Sequence, residues 1–159
     1  MYRIGFAKDI HKLVKNRRLM LGGIHIPYAY GEEAHSDGDV LIHSLAEALL
    51  GSLALGDLGK FYPPNDKKYQ DISSLIILKD VLNKIAKHKY EIVNIDISIV
   101  LEKPKLMKYI NKIRLNLSKV MNLDINNISV KANTNEGIDE VGHNKAIMCY
   151  TIVLVKNKL

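Results

Sequence analysis

Between residues 92 and 101 every second side chain is aliphatic: Val93, Ile95, Ile97, Ile99 and Leu101 alternate with Asn94, Asp96 and Ser98. Alternation of this length predicts a strand with one buried and one polar face. A polar face is odd for a buried sheet, so this one should meet another subunit or a hydrated cavity. Further strands are predicted at 2–10, as two short pieces of 18–27 around the Gly22-Gly23 bend, at 128–135, and at 146–155, the last apolar on both faces. Helical spacing runs from Asp39 to Leu55, where Val40, Leu41, Leu45, Leu49 and Leu53 recur and Asp39 can cap the start. Gly56 reads as the C-cap of that helix. A second helix opens at Ser73 or Ser74, with Leu75, Leu78, Leu82 and Ile85 on one face. A third starts at Pro104, a residue tolerated in the first position, and carries the stripe Leu106, Ile110, Ile113 and Leu117. Residues 56–72 between the first two helices read as a long irregular loop, a kind of segment that tends to carry function.

This order of elements predicts an α/β fold of the α+β type: one domain over residues 1–159, with a mixed four-stranded sheet and three helices on one face. No repeat or linker divides the chain, and no run approaches the ~18 apolar residues of a membrane span. Cys149 is the only cysteine, which excludes an intrachain disulfide and fits a reducing compartment. A cytoplasmic protein is expected, or one of a plastid-type organelle if a transit peptide has been removed. The net charge is +6, but Lys12, Lys15, Lys67, Lys68, Lys103, Lys105, Lys156 and Lys158 are scattered along the chain. Scattered lysines argue against nucleic acid and suit a small polyanionic substrate.

The chemistry is concentrated in Asp9-x-His11 and in His35-Ser36-Asp37-Gly38-Asp39-Val40-x-x-His43. Residues two apart on a strand leave the same face, and His43 lies one turn into the first helix. Either half alone is ordinary: a surface strand, or a satisfied helix histidine. Together they offer one carboxylate and two imidazoles from two rigid elements, a three-ligand set suited to zinc with one position left open. The polar segment 35–39 in front of the helix exposes backbone N–H groups where phosphate binds readily, so the pair implies phosphate chemistry. Gly56-Asp57-Leu58-Gly59 reads as a turn whose Asp57 can accept from sugar hydroxyls. Asn133-Thr134-Asn135-Glu136-Gly137 reads as turn chemistry, or as a place where Glu136 holds a hard Mg²⁺-type cation.

In these residues the chain resembles the 2-C-methyl-D-erythritol 2,4-cyclodiphosphate synthase family. The matching segments are Asp9-Ile10-His11, Leu21-Gly22-Gly23-Ile24-x-Ile26-Pro27, the His35 to His43 segment, Ala48-Leu49-Leu50-Gly51, Gly56-Asp57-Leu58-Gly59-Lys60, Pro104-Lys105 and Val130-Lys131-Ala132-x-Thr134-x-Glu136. The resemblance implies a homotrimer around a three-fold axis, helices outside, with active sites between subunits and a small nucleotide substrate. It implies Zn²⁺ on Asp9, His11 and His43, Mg²⁺ or Mn²⁺ on Glu136, and His35 and Thr134 as catalytic stabilisers of the phosphates. Substrate contacts are implied for Asp9, Ile10, His11, Ser36, Asp57, Leu58 and Gly59, and for the loop Tyr62, Pro63, Pro64, Asn65 and Asp66. The cytosine pocket is implied at Leu101, Pro104, Lys105, Leu106 and Met107, with Asn133, Asn135 and His143 nearby. The chain departs from the family pattern at Tyr62-Pro63-Pro64, at Glu140 in place of a Phe, and at His143 and Lys145 in place of an Arg and a Glu. Three other readings stay open from sequence: a zinc phosphohydrolase using water, a non-enzymatic module that binds nucleic acid through its basic surface, and a homologue that binds CDP-type ligands without turnover.

Overall fold

The structure, a computed structural model, describes residues 1–63 and 65–158. The strand apolar on both faces, β7 (Ala146–Asn157), lies mid-sheet, with one face under the helices and the other on the open side of the sheet. On one side it pairs antiparallel with β1 (Tyr2–Lys15), setting Gly5 opposite Val153 and Asp9 opposite Cys149. On the other it pairs with β5 (Tyr90–Val100), and β5 in turn pairs in parallel with β6 (Ile128–Asn133). A short strand, β4 (Tyr30–Glu32), adds to the far end of β1 with Leu13 opposite Glu32. The sheet therefore has five strands in the order β4-β1-β7-β5-β6, one more than the sequence predicts. The extra strand is Tyr-Gly-Glu, too short to show a period. Two further strands, β2 (Leu19–Leu21) and β3 (Ile24–Ile26), form a separate hairpin around Gly22 and Gly23, whose φ values of +60° and +75° suit glycine.

Three long helices pack on one side of the sheet. The first, α1 (Val40–Ser52), lies across β1 and β7 and is buried on most of its circumference. It approaches β1 so closely that a Cβ on Gly5 would sit 1.9 Å from the Ala48 carbonyl oxygen. Its C-terminus ends in a left-handed residue, but the residue is Ala54 (φ +56°), not Gly56. The amides of Ala54 and Leu55 donate to the carbonyls of Gly51 and Leu50, so the cap is complete before Gly56 is reached. The loop after it contains a one-turn helix, α2 (Leu58–Phe61), and a 3₁₀ turn at Lys67–Tyr69, both too short for periodicity to reveal. The second long helix, α3 (Ser74–Lys87), packs on α1 and β5. The third, α4 (Met107–Met121), packs on β6 and β3, and starts three residues after Pro104. The residues before it are held elsewhere: Lys103 N–H donates to Asn144 Oδ1 at 3.2 Å, and the Glu102 carboxylate accepts from Asn135 N–H at 2.7 Å. A last single turn, α5 (Asp139–Gly142), precedes β7.

The opposite face of the sheet carries no helix. There Tyr2, Ile4, Phe6, Ile10 and Ile152 lie open, Ile4 at 71% and Phe6 at 62% exposure, and the Phe6 and Tyr150 rings stack at 6.4 Å. Toward β5 and β6 the same face turns polar, with an Asp96–Lys131 ion pair and an Asn133–Ser98 hydrogen bond. Contiguous exposed apolar side chains of this kind mark an interaction surface. Among the described residues no helix is long and apolar enough to cross a membrane.

Candidate metal centre and phosphate site

At the N-terminal end of α1 the helix face meets β1. Asp9 and His11, two apart on the strand, point toward the helix, and His43 descends from its first turn. Asp9 Oδ2 lies 3.1 Å from His11 Nε2 and 3.4 Å from His43 Nδ1, and the two ring nitrogens are 3.4 Å apart. Bonds of about 2.0–2.1 Å in a tetrahedral shell set ligand atoms about 3.3 Å apart. The triangle thus has the size of one face of a zinc tetrahedron, with the fourth vertex free. Among the described residues this is the one cluster of its kind.

Both imidazoles are oriented from behind. His11 Nδ1–H reaches Glu32 Oε2 and the Gly38 carbonyl, each at 2.8 Å. His43 Nε2–H reaches the hydroxyls of Ser36 at 3.0 Å and Ser74 at 2.9 Å. These bonds leave Nε2 of His11 and Nδ1 of His43 facing Asp9, the nitrogens that a metal would take. Burial pushes the His11 pKa down, but the Asp9 and Glu32 carboxylates outweigh it and lift it to about 10. Burial would raise Asp9, yet hydrogen bonds from both histidines hold it well below the usual carboxylate range.

The polar segment ahead of α1 explains how the helix start is held. Asp39 is fully buried and accepts from Ile42 N–H at 3.0 Å, from Gly22 N–H at 3.0 Å and from Gly23 N–H at 2.6 Å, tying the β2–β3 bend to the cap. Burial pushes its carboxyl up to about 6. Asp37 accepts from the Ser74 amide at 3.0 Å and from its hydroxyl, clasping the start of α3. Glu32, Ser74, Asp37 and Glu102 are structural partners that sequence spacing did not reveal, since each acts across a distance in the chain.

Beside the triad lies a pocket of about 350 Å³ lined by His11, His35, Ser36, His43, Leu58, Tyr62, Tyr69 and Ile72, among others. Ser36 is 7% exposed and its hydroxyl is engaged with His43, so this side chain positions that imidazole. His35 is exposed at the rim. Of the loop residues, Leu58 and Tyr62 reach the pocket wall. Asp57 caps α2 through Lys60 N–H at 2.9 Å, and Asp66 caps the next turn through Lys68 N–H at 2.9 Å. Gly59 and Asn65 are exposed and Pro63 stands off the wall, while Pro64 lies outside the described residues. Ile10 projects to the open sheet face.

A second pocket, of about 430 Å³, brings together Leu101, Pro104, Lys105, Leu106, Met107, Asn133 and Thr134. Just beyond it the Thr134 hydroxyl donates to Glu136 Oε1 at 2.8 Å, and Asn135 turns away to Ile138 and Asp139. His143 is exposed at the end of α5. A larger hollow of about 940 Å³ between α3, α4 and β5 contains none of the site residues.

The two pockets are not adjacent within one chain. Asp9 is in register with Cys149, Cys149 with Ile99, and Ile99 with Ala132. Three strand spacings make about 14 Å. Thr134 and Glu136 are thus on the far edge of the sheet from the triad, and two linked phosphates cannot touch both.

The profile of the YgbB family matches residues 2–156. The 2-C-methyl-D-erythritol 2,4-cyclodiphosphate synthase of Brachyspira hyodysenteriae is 47% identical over 154 residues, 97% of this chain and 98% of that protein. That of Carboxydothermus hydrogenoformans is 46% identical over 100% of this chain and 98% of its own length. Among solved structures, the bifunctional IspDF of Campylobacter jejuni superimposes with a TM-score of 0.95 at 36% identity; the match covers 99% of this chain and 42% of that longer one. A Plasmodium falciparum IspF in complex with CDP gives a TM-score of 0.87 at 35% identity, covering 99% of this chain and 97% of that one.

Proposed function

The chain belongs to the YgbB family, that of the 2-C-methyl-D-erythritol 2,4-cyclodiphosphate synthases, and we propose that it cyclises 4-diphosphocytidyl-2-C-methyl-D-erythritol 2-phosphate, releasing CMP. The product, 2-C-methyl-D-erythritol 2,4-cyclodiphosphate, belongs to the non-mevalonate route to isoprenoid precursors. A 2-phosphate oxygen bonds to the β-phosphorus while the bond from that phosphorus to the bridging oxygen breaks, and the oxygen leaves with CMP. This is a phosphorus–oxygen lyase reaction without water. Its barrier is lowered by holding nucleophile and leaving group in line and by neutralising charge on the transferred group.

The observation that carries the reading is the triangle of Asp9 Oδ2, His11 Nε2 and His43 Nδ1, with 3.1 to 3.4 Å edges opening on a pocket. The donor set and its spacing fit Zn²⁺, which when bound supplies a Lewis acid for a phosphate oxygen. Glu136, one exposed carboxylate, fits Mg²⁺ or Mn²⁺, which take one or two carboxylates and complete their shells with phosphate and water. The chain's own groups do the rest. His35 and the pocket walls at Leu58 and Tyr62 hold the erythritol phosphate. Thr134 donates a hydroxyl to the diphosphate, and backbone groups around Pro104 and Lys105 read the cytosine.

Because triad and nucleotide pocket are about 14 Å apart in one chain, the working site combines the triad of one subunit with the Thr134 side of a neighbouring copy. The open apolar sheet face supports a homotrimer in which those edges meet. Recombinant protein supplied with zinc and magnesium should convert authentic substrate to CMP and a cyclic diphosphate, followed by phosphorus NMR. Release of CMP with a linear, hydrolysed product, or no release at all, overturns the proposal.

A further inference from the structure

Glu32 takes no part in the proposed chemistry, yet its side chain is fully buried, with 0% exposure. Its Oε2 serves two elements at once. It accepts from His11 Nδ1–H at 2.8 Å and from the Val40 amide, the first residue of α1, at 2.8 Å. Its Oε1 finds no donor among the described residues. A buried carboxylate with one oxygen unsatisfied destabilises a fold unless something offsets it. A leucine would fill much of the same space without that cost, though the Val40 amide would lose its acceptor.

What Glu32 does gain is control of the triad. β1 delivers Asp9 and His11, α1 delivers His43, and one carboxylate oxygen ties the imidazole of the first element to the opening amide of the second. We propose that Glu32 is a positioning residue for the metal centre: it fixes the His11 tautomer, strengthens Nε2 as a donor, and sets the spacing between β1 and α1. The inference rests on the reading of Asp9, His11 and His43 as metal ligands. Carboxylates behind ligand histidines act in this way, and their loss costs about 10–100-fold in metal affinity. The Gly38 carbonyl also accepts from His11 Nδ1–H at 2.8 Å and survives substitution, so the effect belongs at the lower end of that range.

The test measures Zn²⁺ affinity of metal-free protein by competition with a chromophoric chelator, together with thermal melting of the same metal-free samples. Wild type should bind one zinc per chain. Glu32→Leu should bind about tenfold more weakly; its metal-free form also leaves the Val40 amide without its acceptor and should melt lower than wild type. Glu32→Gln, which keeps an acceptor oxygen without the charge, should fall between. In the cobalt-loaded proteins the visible absorption bands of Glu32→Leu should shift and broaden. Equal zinc affinity in wild type and Glu32→Leu overturns the proposal. So does a Glu32→Gln protein that melts lower than wild type yet binds zinc as tightly, since that is the mark of a merely structural residue. A wild-type chain that binds no zinc refutes the metal reading itself, a different failure.

Discussion

Substituting Gly5 by alanine tests whether the site depends on how closely α1 is pressed to β1. The added Cβ would fall 1.9 Å from the Ala48 carbonyl oxygen and 3.0 Å from Ser52 Cβ. Neither neighbour is the end of a flexible side chain, so the backbone must move. An ordinary contact there needs about 3.2 Å, which displaces the C-terminal half of α1 by more than about 1 Å. Overpacking of this kind costs about 1–3 kcal/mol, or about 2–12 °C in melting temperature at this chain length. The displacement is also carried toward the triad. His43 lies five residues before Ala48, about 7.5 Å along the axis, and its Nδ1 must remain near Asp9 Oδ2, now at 3.4 Å. Zinc affinity of Gly5→Ala should therefore fall at least about tenfold, with kcat falling alongside. Thermal melting and a chelator-competition titration measure both effects. A variant that melts within about 1 °C of wild type and binds zinc equally well would show that α1 is not fixed against β1 as the structure has it.

Further outcomes follow from single contacts. The Tyr62 hydroxyl donates to Asp80 of α3, and burial followed by that hydrogen bond pushes the Tyr62 pKa up. Tyr62→Phe and Asp80→Asn should each raise KM several-fold with a smaller change in kcat, because the pocket wall loosens while the triad stays; unchanged KM in both refutes a role for this hydrogen bond in holding the wall. The folded His11 pKa of about 10 lies above its ordinary 6.5. The stability this adds to the metal-free chain is complete below about pH 6.5 and is lost as pH rises toward 10. Zinc must displace the same proton, so affinity should rise about tenfold per pH unit from 7 to 9; a flat profile in competition titrations contradicts the geometry around His11. Phe6→Lys on the open sheet face should shift the assembly toward monomers in light scattering and abolish CMP release, whereas a monomeric variant with full activity refutes an interfacial site.

Much of the site was legible because strands and helix starts have short, rigid geometry. Two residues apart on β1 places Asp9 and His11 on one face, and Asp39 before an apolar period marks the cap that brings His43 within reach. The alternation at 92–101 marks β5 for the same reason. The parts that were not legible depend on tertiary contacts. Three residues of β4 carry no period, yet they deliver Glu32 to His11. Pro104 can begin a helix, but Glu102 and Lys103 are drawn to Asn135 and Asn144, and α4 waits until Met107. Ser36, an expected substrate contact, also hydrogen-bonds His43, a contact that its place in the motif does not show. The distance between Asp9 and Thr134 is set by the order of strands, which no local pattern contains.

The most direct measurement is anomalous diffraction at the zinc absorption edge from crystals grown with zinc and soaked with CMP. One peak per chain is expected, about 2.0–2.2 Å from Asp9 Oδ2, His11 Nε2 and His43 Nδ1, with cytosine against Pro104 to Met107 of a neighbouring copy. A zinc peak elsewhere, or nucleotide seated on a chain whose Thr134 edge faces only solvent, would contradict the account.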